Sequence, residues 1–230
     1  MNEFGSFDIA FSQLSIEMRE VYQLMGYDGH EPGTEIVTLV NDMADRISRL
    51  VTPRCTYRLL KGRIDGIQSL QIGDTLLNPG RIITHAMKGA SYYAIFLVTI
   101  GKEFDLYCEQ LKKENDMLQV FIADAFGSVL AEAAVAYFMK RLSSMAASDE
   151  MEISNNYSPG YCDWLLEEQK KVFGFFPATP IGIHLTDSCL MLPVKSVSGI
   201  VAVGTDVKKQ PYGCDICKMA TCIKNKKLQK

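Results

Sequence analysis

Met117 to Met139 is a 23-residue, mostly apolar stretch, and no other part of the chain restricts the fold as much. Good helix formers continue to Ser144, so the pattern predicts one long helix over 117–144. A helix that is apolar nearly all round has to be covered on most sides. A bilayer is a poor cover here. Asp124 and Glu132 lie inside the stretch, each costing roughly 2.5–3.5 kcal/mol near a membrane centre, and its many alanines insert weakly. The cover must then be protein. With 230 residues, 47% of them apolar and 22% charged, the chain can supply it as one large domain. The same composition argues against disorder.

The rest of the pattern mixes helices and strands without a regular βαβ repeat. Ile36, Val37, Leu39, Val40, Met43, Ile47 and Leu50 recur at helical spacing behind Thr34, which is expected to cap the helix. Residues 55–60 and 67–72 read as short strands, and Asn78-Pro79-Gly80 as a turn. SYYAIFLVTI, 91–100, is β-branched and aromatic and reads as a central strand. Residues 103–113 are helical by pattern, 147–159 read as a polar loop, and 164–173 as an amphipathic helix. Short strands follow at 183–185, 188–192 and 199–203. The resulting fold class is α+β: a single domain with a twisted antiparallel or mixed sheet flanked by helices.

The two acids in the apolar helix need a partner. Asp124, Ser128 and Glu132 stand at i, i+4 and i+8, so they share a face, with the acids about 12 Å apart along the axis. A carboxylate on an apolar helix is costly unless bonded. Either each acid caps a loop amide or pairs with an Arg or Lys, or one of them holds a polar group of a ligand. Spacing alone leaves both open.

Two later segments bear on that choice. The first is Asn156-Tyr157-Ser158-Pro159-Gly160-Tyr161. The second runs Gly182-Ile183-His184-Leu185-Thr186-Asp187-Ser188-Cys189-Leu190-Met191-Leu192-Pro193-Val194-Lys195-Ser196-Val197-Ser198-Gly199. Together they resemble the S-adenosylmethionine-binding activation domain of cobalamin-dependent methionine synthase, with its R-P-A-P-G-Y and G-x-x-L-T-E-S-x-x-M-x-P-x-x-S-V-S-G stretches. Leu130-Ala131-Glu132-Ala133 is similar to that family's L-A-E-A helix, whose glutamate contacts the bound ligand. The specific resemblance covers residues 128–203.

The residue types have physical reasons. Gly160 allows a positive φ or a close approach, backbone amides beside it can bind a ligand, and Tyr161 offers an aromatic face or hydroxyl. Ser196 and Ser198 alternate on one strand face, with Val197 pointed into the core. The resemblance thus implies a donor site of Glu132, Asn156, Ser158, Gly160, Tyr161, Ser196 and Ser198, with Asp124 a further candidate. One departure stands out: Asn156 occupies the place of the motif arginine and brings neither its charge nor its bidentate fork. Lys195 is the candidate to restore the charge. The tyrosine that the family places after the Ser-Val-Ser-Gly strand has no counterpart in 201–209.

The end of the chain differs from its body. Residues 205–230 carry seven lysines against Asp206 and Asp215, a local +5. The chain's net −3 therefore leaves −8 on the first 204 residues. An acidic body gives no field for a phosphate backbone, so nucleic acid is not an expected partner, and neither is a membrane. Two parts are expected, a body over 1–205 and a basic, cysteine-bearing tail over 206–230. Cys214-x2-Cys217-x4-Cys222 has metal-ligand spacing, and Cys162 could complete a tetrahedron as a zinc or iron–sulfur site. A thiol-bearing tail without metal is the other reading. Seven cysteines, an odd number, and a start without a basic and apolar leader point to a reducing cytoplasm.

The resemblance implies a role for the whole chain. It would bind S-adenosylmethionine and support reductive remethylation of cob(II)alamin, the cobalamin being carried by a methionine synthase that lacks its own activation domain. A flavodoxin-like electron donor would act with it. No acid, base or nucleophile is expected of the chain, because the cobalt is the nucleophile. The alternative is a corrinoid-protein activation or binding module that has lost S-adenosylmethionine and uses the cysteine tail as a metal centre. A plain metal-stapled scaffold is the third reading.

Overall fold

The computed structural model describes residues 3–27, 29–178 and 180–209. Its sheet is organised on the most apolar strand of the sequence, β5 (Tyr92–Thr99), every residue of which after Tyr92 is buried. β5 pairs on one side with the long β2 (Arg54–Asp65) and on the other with β9 (Ser196–Gly204), and β6 (Glu152–Tyr157) closes the edge beyond β9. On its outer edge β2 takes two strands in succession: β1 (Glu3–Asp8) against 54–59, then β3 (Ser69–Ile72) against 62–65, with β4 (Thr75–Leu77) beyond β3. All seven strands are antiparallel. A separate hairpin of β7 (His184–Leu185) and β8 (Met191–Leu192) precedes β9.

Helices cover both faces. α5 (Met117–Ala147) lies under one face, where Ala134, Val135, Phe138 and Leu142 pack on Ala94, Phe96, Val98 and Val201. Its first half continues past the sheet into a helical layer with α1 (Met18–Leu24), α2 (Thr34–Leu50) and α4 (Lys102–Lys113). There the Phe104 ring lies so close to Gly127 that a Cβ would sit 2.3 Å from it, so α5 needs its glycine to approach α4. α3 (Gly80–Ala86), α6 (Gln169–Phe173) and the 164–183 loops cover the other face, over Tyr93, Ile95, Leu97 and Ile200. Among the described residues α5 is long and apolar enough to cross a membrane, but most of that stretch is packed inside this fold.

Several expectations shift in detail. Gly33, not Thr34, is the N-cap of α2. The polar stretch 147–159 contains a strand, β6, and 164–173 divides into a 3-10 turn (Leu166–Glu168) and the five-residue α6, with Leu165 and Leu166 exposed. The body does not stop at 205, since Val207 is buried in the core beside α3 and α6.

Burial on these faces controls titration. Desolvation pushes the Tyr93 hydroxyl up to about 12 and Cys108, also facing Asp105 and Asp124, up to about 11, and it raises Cys55 further. Unfolded thiols and phenols ionise near 8.5 and 10. Each folded value lies above the unfolded one, so the stability these neutral groups provide is complete below about pH 8.5 and declines as pH rises toward 11. Melting temperature is therefore expected to fall steadily between pH 8.5 and 10.5. A flat profile there would contradict these burials.

Candidate functional site

The first motif segment and the Ser-Val-Ser-Gly end of the second, some forty residues apart in sequence, lie side by side. Asn156 pairs with Val201 and Tyr157 with Ile200, so the chain leaving β6 runs back along the first residues of β9. Cross-strand partners share a face. Val201 belongs to the layer under α5, which puts Asn156 on that side, while Tyr157 and Ile200 stand on the opposite face. Gly199 lies against the Tyr157 carbonyl and the Phe96 ring, each 2.8 Å from where a Cβ would be. The glycine of Ser-Val-Ser-Gly is therefore what lets the two segments close on each other.

After β6 the chain folds into a tight loop. Gly160 has φ 93° and Cys162 φ 51°. Tyr161 N–H donates to the Ser158 carbonyl (3.0 Å), Gly160 N–H to the Trp164 carbonyl (2.8 Å) and Trp164 N–H to the Tyr161 carbonyl (2.9 Å). The amides expected to bind a ligand beside Gly160 are thus engaged within the loop. The loop also holds two buried side-chain polar atoms, Ser158 Oγ and Trp164 Nε1, with no hydrogen-bond partner among the described residues. Tyr161 is 37% exposed at its surface.

The acids of α5 separate. Asp124, with 69% of its side chain exposed, accepts from Lys195 Nζ at 2.7 Å. The same ammonium donates to Ser128 Oγ at 2.8 Å, and Val194 N–H donates to Asp105 of α4 at 2.9 Å. Asp124 therefore has the ordinary explanation of a lysine partner. Lys195 is held by α5 and lies six residues from Val201, the partner of Asn156, a distance of about 20 Å along an extended strand. That is far beyond a lysine side chain's reach, so its charge does not stand in at Asn156. Ser128 stands beside Lys195, and Ala134 and Val135 pack with Val201, so α5 and β9 run in the same sense. Glu132, two turns beyond Asp124, comes level with Val197–Gly199. It is half-buried on the helix that faces Asn156.

Ser196 and Ser198 do share a strand face, but it is the face away from α5. Their partners are Thr99 and Leu97. Ser196 Oγ donates to the Pro193 carbonyl at 2.7 Å and lies 2.9 Å from Thr99 Oγ1, and Ser198 is only 2% exposed. Ser196 ties the strand entry together from behind, and Ser198 is buried on the same face. On the α5 side remain Glu132 and Asn156, one carboxylate and one amide; the 158–161 loop follows β6 directly, and its continuation packs on the other face, Asp163 against Gly80 and Trp164 in the core with Tyr93. The cysteines of the tail lie outside the described residues, and among the described residues no cluster of three or more His, Cys, Asp or Glu is placed to hold a metal.

The family model of the vitamin B12 dependent methionine synthase activation domain matches residues 81–218. The chain belongs to that family. The matched range contains β5, α4, α5, β6, the 158–164 loop and β9, so it takes in every element of the site. Among solved structures, the MetH reactivation domain bound to AdoHcy superposes with a TM-score of 0.71 at 18% identity, covering 90% of this chain and 80% of that one. The activation-domain fold is thus shared over nearly the whole length, including most of the eighty residues that precede the family match. No curated protein matches the sequence.

Proposed function

We propose that this activation-domain chain binds S-adenosylmethionine in the groove between α5 and the 156–161 segment and presents its methyl group to cobalamin carried by a methionine synthase. The observation that carries this reading is the placement of Glu132 on the helix that faces Asn156 of β6, the strand that leads directly into the Gly160–Tyr161 loop, all inside the matched family range. The solved relative's binding of AdoHcy, the demethylated form of the same donor, supports it. Cobalamin supplies the nucleophile for the methyl group. The protein's own part is to hold and orient the donor and to exclude water. Glu132 offers a charge-assisted acceptor for an ammonium or a ribose hydroxyl, and Tyr161 a flat, partly exposed surface for the purine. Asn156 contributes neutral hydrogen bonds.

The proposed partner is a methionine synthase without its own activation domain, working with a flavodoxin-like reductant in the cytoplasm. Two measurements test the reading. Calorimetry is expected to show one S-adenosylmethionine per chain, and addition of the chain with a reductant is expected to restore an oxidised, domain-truncated synthase in trans. Failure of both would overturn the proposal. Binding of neither donor nor product combined with restored activity would instead favour a reductive module without S-adenosylmethionine.

A further inference from the structure

Lys195 brings no charge to Asn156, but its contacts give it another part. Its side chain is only 13% exposed, and lysine is rarely so covered unless it is paired. The ammonium donates to two acceptors on successive turns of α5, Asp124 Oδ1 at 2.7 Å and Ser128 Oγ at 2.8 Å. One acceptor would leave the side chain free to swing. Two acceptors a turn apart fix where Lys195 sits along the helix axis. The backbone around it is held at the same place. Ile100 N–H donates to the Lys195 carbonyl at 3.1 Å, Val194 N–H to Asp105 Oδ2 at 2.9 Å and Ser196 Oγ to the Pro193 carbonyl at 2.7 Å. The Val194 side chain is exposed, so these polar bonds do the holding there. Residues 193–196 are thus tied to the end of β5 and to α4, and Lys195 ties them to α5.

We infer that Lys195 is a positioning residue for the donor groove, holding the Ser-Val-Ser-Gly strand level with Glu132. The inference rests on the reading of that groove as an S-adenosylmethionine site. Glu132 lies one turn, about 6 Å, beyond Ser128, and Val197 two residues, about 7 Å, beyond Lys195. α5 and β9 run in the same sense, so both distances start from one bond. The Lys195–Ser128 contact is therefore the common origin that brings the carboxylate and the strand opposite it to the same height. Val197 packs against both the core under the sheet and the helical layer, so a slip of the strand entry moves the wall beside Glu132. Asp124→Asn keeps an oxygen that accepts from Nζ and leaves this clamp closed. Lys195→Met removes both bonds to α5 while keeping an apolar stem.

A double-mutant cycle, read by calorimetry with S-adenosylmethionine on the full-length chain, tests it. Lys195→Met is expected to weaken binding about tenfold, less than the roughly hundredfold loss that a misplacement of about 1 Å can cause in a positioned site. In a Glu132→Gln background the same change is expected to cost less than about threefold, because the carboxylate that needed alignment is gone. A residue that merely kept the domain folded would lower affinity by the same factor in both backgrounds. Ser128→Ala is the second variant, since alanine favours the helix and the change removes only one of the two bonds. Its loss of about threefold should likewise vanish in the Glu132→Gln background. Thermal unfolding shows that each variant is folded at the assay temperature, and if Lys195→Met is not, Ser128→Ala decides. Normal binding by the wild type with equal losses in both backgrounds, or with no loss at all, overturns the inference and leaves the donor-site reading standing. No binding by the wild type overturns that reading and the inference with it.

Discussion

Replacing Gly199 by alanine is expected to lower the melting temperature by roughly 5–10 °C, equivalent to about 2–3 kcal/mol of overpacking in a chain of this size. The added methyl would lie 2.8 Å from the Phe96 ring and 2.8 Å from the Tyr157 carbonyl. Neither neighbour yields easily. Phe96 is fully buried and packs on Phe138 with ring centroids 5.0 Å apart, and the carbonyl belongs to the β6 backbone. Because one of the two clashes is with a side chain, Phe96→Leu should relieve part of it. The double variant Gly199→Ala/Phe96→Leu is expected to be more stable than the sum of the two single changes predicts. Additive losses in thermal unfolding would mean that Gly199 is required for some reason other than this approach.

Glu132→Gln is expected to weaken S-adenosylmethionine binding by about 10- to 100-fold, whereas Asp124→Asn changes it by less than about threefold. The two acids differ in setting. Glu132 is half-buried on the helix facing Asn156, where a charge-assisted hydrogen bond to a ligand contributes about 1.5–3 kcal/mol. Asp124 is mostly exposed and already paired with Lys195, an arrangement worth at most about 1 kcal/mol. Calorimetry at fixed ionic strength measures both. Equal effects would place the ligand elsewhere along α5.

Patterns within single segments made much of this legible from the residues. The apolar run of α5, the β-branched run of β5 and the spacing of α2 each specify their element locally, and the motif segments identify the family. β6 was not legible because Glu-Ile-Ser-Asn-Asn-Tyr looks like a loop. Its buried polar residues are accommodated by bonds that only the sheet creates, such as Ala202 N–H donating to Ser154 Oγ at 2.9 Å. Alternation correctly joined Ser196 to Ser198 but could not say which layer they face, since that depends on where α5 lies. The Lys195–Asp124 pair joins positions 71 residues apart and has no local signal. The closed hydrogen bonding of the 158–164 loop was equally hidden, because Pro-Gly-Tyr specifies a turn without specifying which amides it consumes.

α5 carries a consequence for how the molecule comes apart. Its second half belongs to the core beneath the sheet and its first half to the core of the helical layer, with no break in the helix between them. Neither lobe can lose order without removing one wall of the other, so the two should open together in hydrogen exchange, with the amides of α5 among the slowest. A ligand gripped by Glu132, near the junction of the two cores, would then slow exchange in both lobes at once rather than only around the groove.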